Sequence, residues 1–187
     1  MTEAYGPLYG AIAHVTQEYT TGEAWRVGVG ILAANGDPIL DPSWTVNKSE
    51  LGTLVFPIEG AFLYGLTNKE EDRFFAPYVG IGAGGFVGFE RTSVDSMYHA
   101  PEGSFDWNDT RFRYTLGGHV LLGTSVRITG KVQGLLEIRW TQSGKGSVVE
   151  QTFSPQDIAE GWLELSRAVK RPDFNFTGWS VSLGARW

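Results

Sequence analysis

Apolar and polar residues alternate along most of the chain with a period of two, which is the pattern of β-strands. Most alternating runs are about ten residues or longer, the length a tilted strand needs to cross a bilayer, whereas strands of globular proteins average about five or six residues. The pattern therefore predicts an all-β chain with membrane-spanning strands. The seven clear segments lie near residues 9–19, 25–33, 53–64, 75–89, 111–122, 126–140 and 179–187.

The two faces of these predicted strands differ in chemistry. The polar faces are rich in Gly, Ser and Thr and comparatively poor in charge, and the apolar faces carry no charged residue. Charge on a lipid-facing position is costly, and small residues fit the crowded interior of a narrow barrel. We therefore expect the apolar faces to meet lipid. A soluble lipocalin-like barrel, which would bury the same apolar faces, is the alternative.

Aromatic residues lie toward the ends of the apolar faces, where the interfacial girdles of membrane barrels are found. They are expected to face lipid. These girdle residues are Tyr9, Tyr19, Trp25, Phe75, Phe89, Trp140, Trp179 and Trp187.

Charged side chains on the polar faces would point into the barrel. An unpaired buried charge is costly, so these residues are expected to form one water-bridged ionic ladder in the lumen. Glu18 and Arg186 lie on the same faces, and His14 also points inward. The predicted lumen network consists of Arg26, Glu59, Arg111, Arg113, His119, Arg127, Lys131, Glu137 and Arg139.

Connections alternate between short and long. The short ones are "TTGE", "TNKEED" and "GTS"; the long ones, expected to be extracellular loops, cover 35–52, 91–109 and 143–173. Seven strands would leave the two chain ends on opposite sides, so about eight are expected. The eighth would precede Met1 or lie in 35–52 or 146–153. The predicted architecture is a single up-and-down antiparallel transmembrane β-barrel over residues 1–187.

One helix is predicted, in the last long loop over 154–171. Ser154, Pro155 and Asp157 resemble a helix start, and an apolar stripe and a basic end follow. The helix could cover the barrel mouth, lie on the outer leaflet with its bases on lipid phosphates, or bind a partner. The stripe is Ile158, Trp162, Leu165 and Val169, and the bases are Arg167, Lys170 and Arg171.

Composition excludes several classes of function. The chain of 187 residues fits one domain, and it has no cysteine, which excludes disulfides, Cys metal sites and thiol catalysis. Its net charge of -6 gives no basic footprint for nucleic acid. No apolar run is long enough for a membrane-spanning helix. No signal peptide precedes the first segment, so we expect that it has been removed or was not included.

Candidate chemical motifs are weak. Gly80, Gly82 and Gly85 match G-x-G-x-x-G, but the dinucleotide fingerprint requires a helix directly afterwards, and "FVGFERTS" continues as a strand. His14, His99 and His119 are far apart, and the "DWND" stretch falls short of a calcium loop. We therefore expect no cofactor and no metal.

Two stretches carry a family resemblance. "FFAPYVGIGAGGF", Phe74 to Phe86, is similar to the recurrent strand of the small outer-membrane β-barrels of Gram-negative bacteria, in the broad OmpA/OmpW/PagL-like group. "GWSVSLGARW", Gly178 to Trp187, resembles their terminal assembly signal. The signal positions here are Trp179, Val181, Leu183, Ala185 and Trp187.

The resemblance implies a monomer in the bacterial outer membrane, surrounded by lipid and lipopolysaccharide and inserted by the barrel-assembly machinery through its C-terminal strand. Lipid A deacylases of the group place a His and a Ser two residues apart in a late strand. The comparable "EIRWTQSGKG" has no His, and Ser143 has no evident base, so no catalytic residue is predicted. The expected role is structural or adhesive, through the loops. A narrow channel for small solutes or anions and a lipid-modifying enzyme are the alternatives.

Overall fold

A computed structural model describes the chain in nine ranges, and within them every regular element is a β-strand. The described residues are 7–19, 22–37, 39–40, 48–66, 74–99, 103–129, 132–148, 169–170 and 174–186. The strands are β1 Tyr9–Glu18, β2 Glu23–Gly36, β3 Ile39–Leu40, β4 Lys48–Gly65, β5 Phe75–His99, β6 Gly103–Arg127, β7 Gln133–Ser143, β8 Ser147–Val148, β9 Val169–Lys170 and β10 Gly178–Arg186.

Seven long strands form one antiparallel up-and-down sheet in the order β1-β2-β4-β5-β6-β7-β10, as the alternation predicts. The sheet is curled into a half-barrel, because side chains on β2 and β4 reach β7 across its concave side. The short strand β8 pairs with β6, and β3 pairs with β9 in a separate two-stranded sheet.

The two edges of the long sheet are β1 and β10. With seven alternating strands, these edges run in the same direction, and no pairing joins them among the described residues. Their C-terminal ends are nevertheless linked by an ion pair between Arg186 and Glu18. Neither described part of 35–52 or 146–153 supplies an eighth barrel strand, because β3 pairs with β9 and β8 pairs with β6.

Three expectations about connections are corrected. The range 91–109 was expected to be a loop, yet β5 continues to His99 and β6 begins at Gly103. Backbone hydrogen bonds between strands form whatever the polarity of the outward side chains. The β5–β6 ladder therefore extends beyond the apolar part of these strands. The "GTS" stretch lies inside β6, and the short connection follows Arg127 instead.

The third correction concerns only the described end of the predicted helix. Residues 154–168 and Arg171 lie outside the described residues. Val169 and Lys170, which the helical pattern included, form a strand that pairs with Leu40 and Ile39. A β-branched valine is well suited to such a ladder.

The convex face of the sheet is apolar and exposed. Leu116 is 73% exposed and Leu183 is 83% exposed, whereas a soluble sheet would bury such side chains. Two of the predicted girdle residues are not exposed in this way or not described: Trp140 is half-buried against Trp179, and Trp187 lies outside the described residues. The remaining girdle residues, all exposed, are Tyr9, Tyr19, Trp25, Phe75, Phe89 and Trp179.

Glycine on the concave face lets side chains approach the wall closely. Gly82 lies opposite His119 in the β5–β6 register, and a Cβ at Gly82 would collide with the His119 ring and with the carbonyl oxygen of Gly60. The G-x-G-x-x-G match is therefore a feature of a strand, in which Gly82 makes room for a neighbouring ring.

Candidate functional site

The concave side of the half-barrel holds a buried group of charges that we call the lower ionic layer, namely Arg26, Glu59, Glu137 and Arg139. Arg26 on β2 donates to both carboxylate oxygens of Glu137 on β7, with Nη2 to Oε2 at 3.2 Å. Both side chains are 5% exposed. The hydroxyl of Tyr78 donates to the same carboxylate at 2.6 Å. Since β2 and β7 are not neighbours in the sheet, this pair braces opposite walls.

A second brace lies beside the first. Arg139 donates to Glu59 through two bonds of 2.5 and 2.9 Å, and its Nη2 lies 3.8 Å from an oxygen of Glu137. His14 on β1 places Nε2 at 2.9 Å from Glu59. Bidentate arginine–carboxylate bonds are among the strongest and most directional in proteins, so the layer ties β1, β2, β4, β5 and β7 together.

The lower ionic layer is electrically balanced. Arg26 and Arg139 contribute two positive charges, and Glu59 and Glu137 contribute two negative charges. His119 lies in the same region, buried over Gly82, and its Nε2 has no hydrogen-bond partner among the described residues. The two arginines and two glutamates pair with one another, so these four residues together carry no net charge that would attract an ion.

An apolar cluster lies in the interior on the side of the short connections. We call it the floor cluster, and half-buried Tyr78 packs against it. It consists of Ala24, Ala61, Leu63 and Leu121.

A second apolar group lies on the other side of the lower ionic layer. We call it the aromatic plug, namely Phe174 and Phe176, which precede β10. Phe174 is 1% exposed and packs with Val55 and Phe86 of the opposite wall. Phe176 stacks on Phe86 with ring centroids 4.7 Å apart, and Phe174 meets Phe176 edge to face at 4.8 Å. The plug therefore also spans the interior.

The segment that carries the plug is held by hydrogen bonds to the end of β7. The amide of Phe176 donates to the hydroxyl of Ser143 at 2.7 Å, and that hydroxyl donates to Asn175 at 3.1 Å. The amide of Gly146 donates to the carbonyl of Phe174 at 3.1 Å. The hydroxyl of Ser143, which bonds an amide oxygen and a backbone N–H, thus anchors this segment to the end of β7.

Beyond the plug lies an upper ionic layer, namely Glu90, Asp109, Arg111 and Arg113. Arg113 lies 3.3 Å from a carboxylate oxygen of Glu90, and Arg111 donates to Asp109 at 3.0 Å. Glu90 is fully buried. The register places the plug between the two layers, because Phe86 lies on β5 between Gly82, which faces His119, and Glu90.

The predicted lumen residues thus divide between two layers, where a single ladder was expected. Five lie in or beside the lower layer and two in the upper layer. Arg127 is exposed at the end of β6, outside both layers, and Lys131 lies outside the described residues. The lower group is Arg26, Glu59, His119, Glu137 and Arg139, and the upper pair is Arg111 and Arg113.

Sequence reasoning missed other members of the interior. Tyr78 lies on the inward face of the fourth alternating segment but was not assigned to the lumen network. Glu90 occupies the next inward position beyond that segment, so extending the period would have found it. Phe174 and Phe176 share the inward parity of Ser180, but they lie between the predicted loop 143–173 and the last alternating segment, which begins at Trp179, and were assigned to neither.

In the described part of the chain, no group of three or more His, Asp or Glu side chains is arranged to hold a metal ion. Within the same ranges, no helix is both long and apolar enough to cross a membrane.

Comparison with protein-family models, with curated proteins and with solved structures finds no match to this chain. The features that bear on function are the polarity of the two faces of the sheet and the layered interior.

Proposed function

We propose that this protein is an integral β-barrel of the bacterial outer membrane, of the OmpA/OmpW/PagL-like type, with a structural or adhesive role and no catalysis. The observation that carries the proposal is the inverted polarity of the sheet: exposed apolar side chains cover the convex face, and paired charges fill the concave face. A soluble β-sheet protein has the opposite arrangement, because apolar burial drives its folding.

The size of the apolar face supports a lipid environment. Burial of one large apolar side chain is worth roughly 1.5–3 kcal/mol, and contiguous exposed patches beyond a few hundred Å² are rare on soluble monomers. The exposed apolar residues here occur on all seven long strands. Representatives, one from each strand, are Val15, Val29, Ile58, Ile81, Leu116, Ile138 and Leu183.

Aromatic contacts bound this apolar belt. At one end Phe89 meets Phe112 with ring centroids 5.5 Å apart, and the next outward residues, Arg91 and Thr110, are polar and exposed. Toward the other end, Phe74 meets Phe75 at 5.0 Å. Aromatic girdles at both limits of an apolar band are typical of outer-membrane barrels.

The length of strands β5 and β6 supports a role in binding a partner. Each has 25 residues, and a tilted strand needs only about 9–11 to cross a bilayer. More than half of each strand therefore lies beyond the membrane under this proposal. This part of the β5–β6 pair would offer a surface for a partner, and it replaces the expected loop 91–109 as the candidate adhesive element.

The last strand supports assembly by the outer-membrane machinery. Trp179, Val181, Leu183 and Ala185 are exposed along β10, at an edge where another strand can pair. Such an edge, with apolar residues at every second position, is the kind of substrate that the barrel-assembly machinery would bind. The filled interior argues against a permanently open channel, because braces and plug cross the lumen.

The proposal is tested by placing one charge on the convex face. Val120 is exposed near the middle of the apolar belt of β6. In a membrane, Val120→Arg should destabilise the protein by about 2–4 kcal/mol, falling to about 0–1 near an interface. Thr110→Arg, on the same face and strand but beyond the belt, is the matched control. Unfolding in lipid vesicles and heat-modifiable migration on a gel measure the effect.

In a soluble protein, both arginines would add a charge to a water-exposed surface at a cost within about 0.5 kcal/mol. Equal stability of the two variants, together with a wild-type monomer that stays folded in buffer without detergent, would contradict the proposal. Unchanged lipid A mass after incubation with the protein is expected, and a loss of acyl chains would instead favour the enzyme alternative.

A further inference from the structure

Along the strands, the lower ionic layer lies between the floor cluster and the aromatic plug. Moving along β6 from the short-connection end, the interior passes Leu121 of the floor, then His119, then the level of Phe86 and the plug, then Arg113. We propose that the aromatic plug is an apolar gate, which seals the lower ionic layer from water at the long-connection end and opens when the segment Phe174–Thr177 leaves the interior.

The plug is separable from the wall of the half-barrel. The antiparallel ladder between β10 and β7 begins at Gly178, paired with Thr141, so Phe174 and Phe176 precede it. Their anchor is the hydrogen-bonded contact with Ser143 and Gly146. Moving the segment out would break these hydrogen bonds and expose the buried Phe174 ring, but it would leave the ladder between β10 and β7 paired.

The wall is shaped to receive the plug. A Cβ at Gly88 would meet the tip of the Phe174 ring, and a Cβ at Gly146 would meet its Cβ and backbone. Gly88 lets the tip of the ring reach the backbone of β5, and Gly146 lets the backbone of Phe174 lie close to the chain that follows β7. Close contacts between Phe174 and both glycines indicate a specific position for the plug.

An apolar level between two polar layers is a barrier to ions and water. A charge leaving either layer would exchange its partners for aromatic rings, which is costly. The polar group at that level is the Thr115 hydroxyl, opposite Phe86 in the register, and it already donates to the Gly144 carbonyl at 2.9 Å. Hydrophobic constrictions gate channels in this way, by excluding water. The barrier applies to the interior of the half-barrel itself; only its consequence, a closed route across a membrane, rests on the proposed function.

The absence of cysteine makes the gate directly testable. A single cysteine, His119→Cys, reports access to the lower ionic layer through its reaction with a small cationic methanethiosulfonate reagent. Protein folded in detergent micelles is labelled with the plug intact, with Phe174→Ala and Phe176→Ala combined, and with Phe89→Ala. The last variant removes an exposed phenyl ring from the convex face of β5 and is the matched control.

With the plug intact, labelling should be slow, and the Phe89→Ala control should not change it. Removal of both plug rings should accelerate labelling at least about tenfold, equal to about 1.4 kcal/mol less for opening. Ser143→Ala, which frees the anchor and keeps both rings, should accelerate it by a smaller factor. This third variant keeps the test decisive if the double variant does not fold, as judged by heat-modifiable migration.

Two results would overturn the gate. One is rapid labelling of His119→Cys with the plug in place. The other is equal labelling of the folded plug variants and the Phe89→Ala control. Because labelling is measured in micelles, its rate reports how well the plug blocks access to the lower ionic layer, whether or not the chain crosses a bilayer. The arginine substitution at Val120 tests the membrane proposal independently, so the two failures are distinguishable.

Discussion

Replacing Glu137 by glutamine removes one negative charge from the centre of the lower ionic layer while nearly preserving the shape of the side chain. Glu137 accepts two bonds from Arg26 and one from Tyr78, and Arg139 approaches it at 3.8 Å. One oxygen becomes an amide NH₂ group, which cannot accept from a guanidinium. The layer changes from neutral to a charge of +1, with Arg26 left without its carboxylate.

The magnitude follows from burial. The side chains of Arg26 and Glu137 are both 5% exposed, so water cannot replace the lost partner. Removing one member of a buried ion pair costs about 3–5 kcal/mol, and Glu137→Gln should lie near the lower value because one bond survives. The matched control is Glu18→Gln at the exposed Arg186–Glu18 pair, whose side chains are 38% and 42% exposed. That control should lose less than about 1 kcal/mol.

Equilibrium unfolding in urea, followed by tryptophan fluorescence in detergent micelles, measures both variants through linear extrapolation. A second arm combines Arg26→Met with Glu137→Leu, because an apolar pair of similar volume can replace a buried ion pair at little cost. The double variant should be more stable than Glu137→Gln by about 2 kcal/mol or more. If Glu137→Gln and Glu18→Gln differ by less than about 0.5 kcal/mol, the reasoning is refuted, since that is the range of ordinary surface substitutions.

Two further predictions use the same unfolding assay. Gly82→Ala should destabilise the protein by about 1–3 kcal/mol through overpacking against the His119 ring and the Gly60 carbonyl, whereas Gly85→Ala, whose added methyl meets Leu116 at an ordinary 3.5 Å, should not; equal effects would contradict the close approach at Gly82. Ser143→Ala should cost about 1–2 kcal/mol for two lost hydrogen bonds, and a cost no greater than that of an alanine at exposed Ser180 would show that the anchor is not formed.

The alternation of the chain was sufficient to predict the strands and their faces. Residues such as Val27, Leu116 and Leu183 were assigned outward from period alone, and all three are exposed. Local pattern succeeds here because the outward face of each strand is apolar and uncharged along the whole belt. The pattern failed beyond that belt, in 91–109, where neither face is uniformly apolar and only the pairing of β5 with β6 identifies a strand.

The interior was predictable in membership but not in arrangement. Arg26 and Glu137 were both placed inward, yet they lie 111 positions apart in the chain, and nothing in the sequence says which arginine meets which carboxylate. Pairing depends on register and on the curl of the sheet, since the partners come from strands that are not neighbours. The aromatic plug was missed for the same reason: Phe174 and Phe176 have inward parity, but their seat is on β4 and β5.

By itself, the sequence determined the all-β class, the identity of each face and the chemistry available on it, because period-two alternation assigns every side chain of a strand to one side. Only the tertiary structure decided that the charges divide into two layers, that Phe174 separates them and that the ends of the outer strands meet through Arg186 and Glu18. These contacts join distant parts of the chain across a curved sheet, so their geometry is set by strand order, register and curvature, which no local pattern encodes.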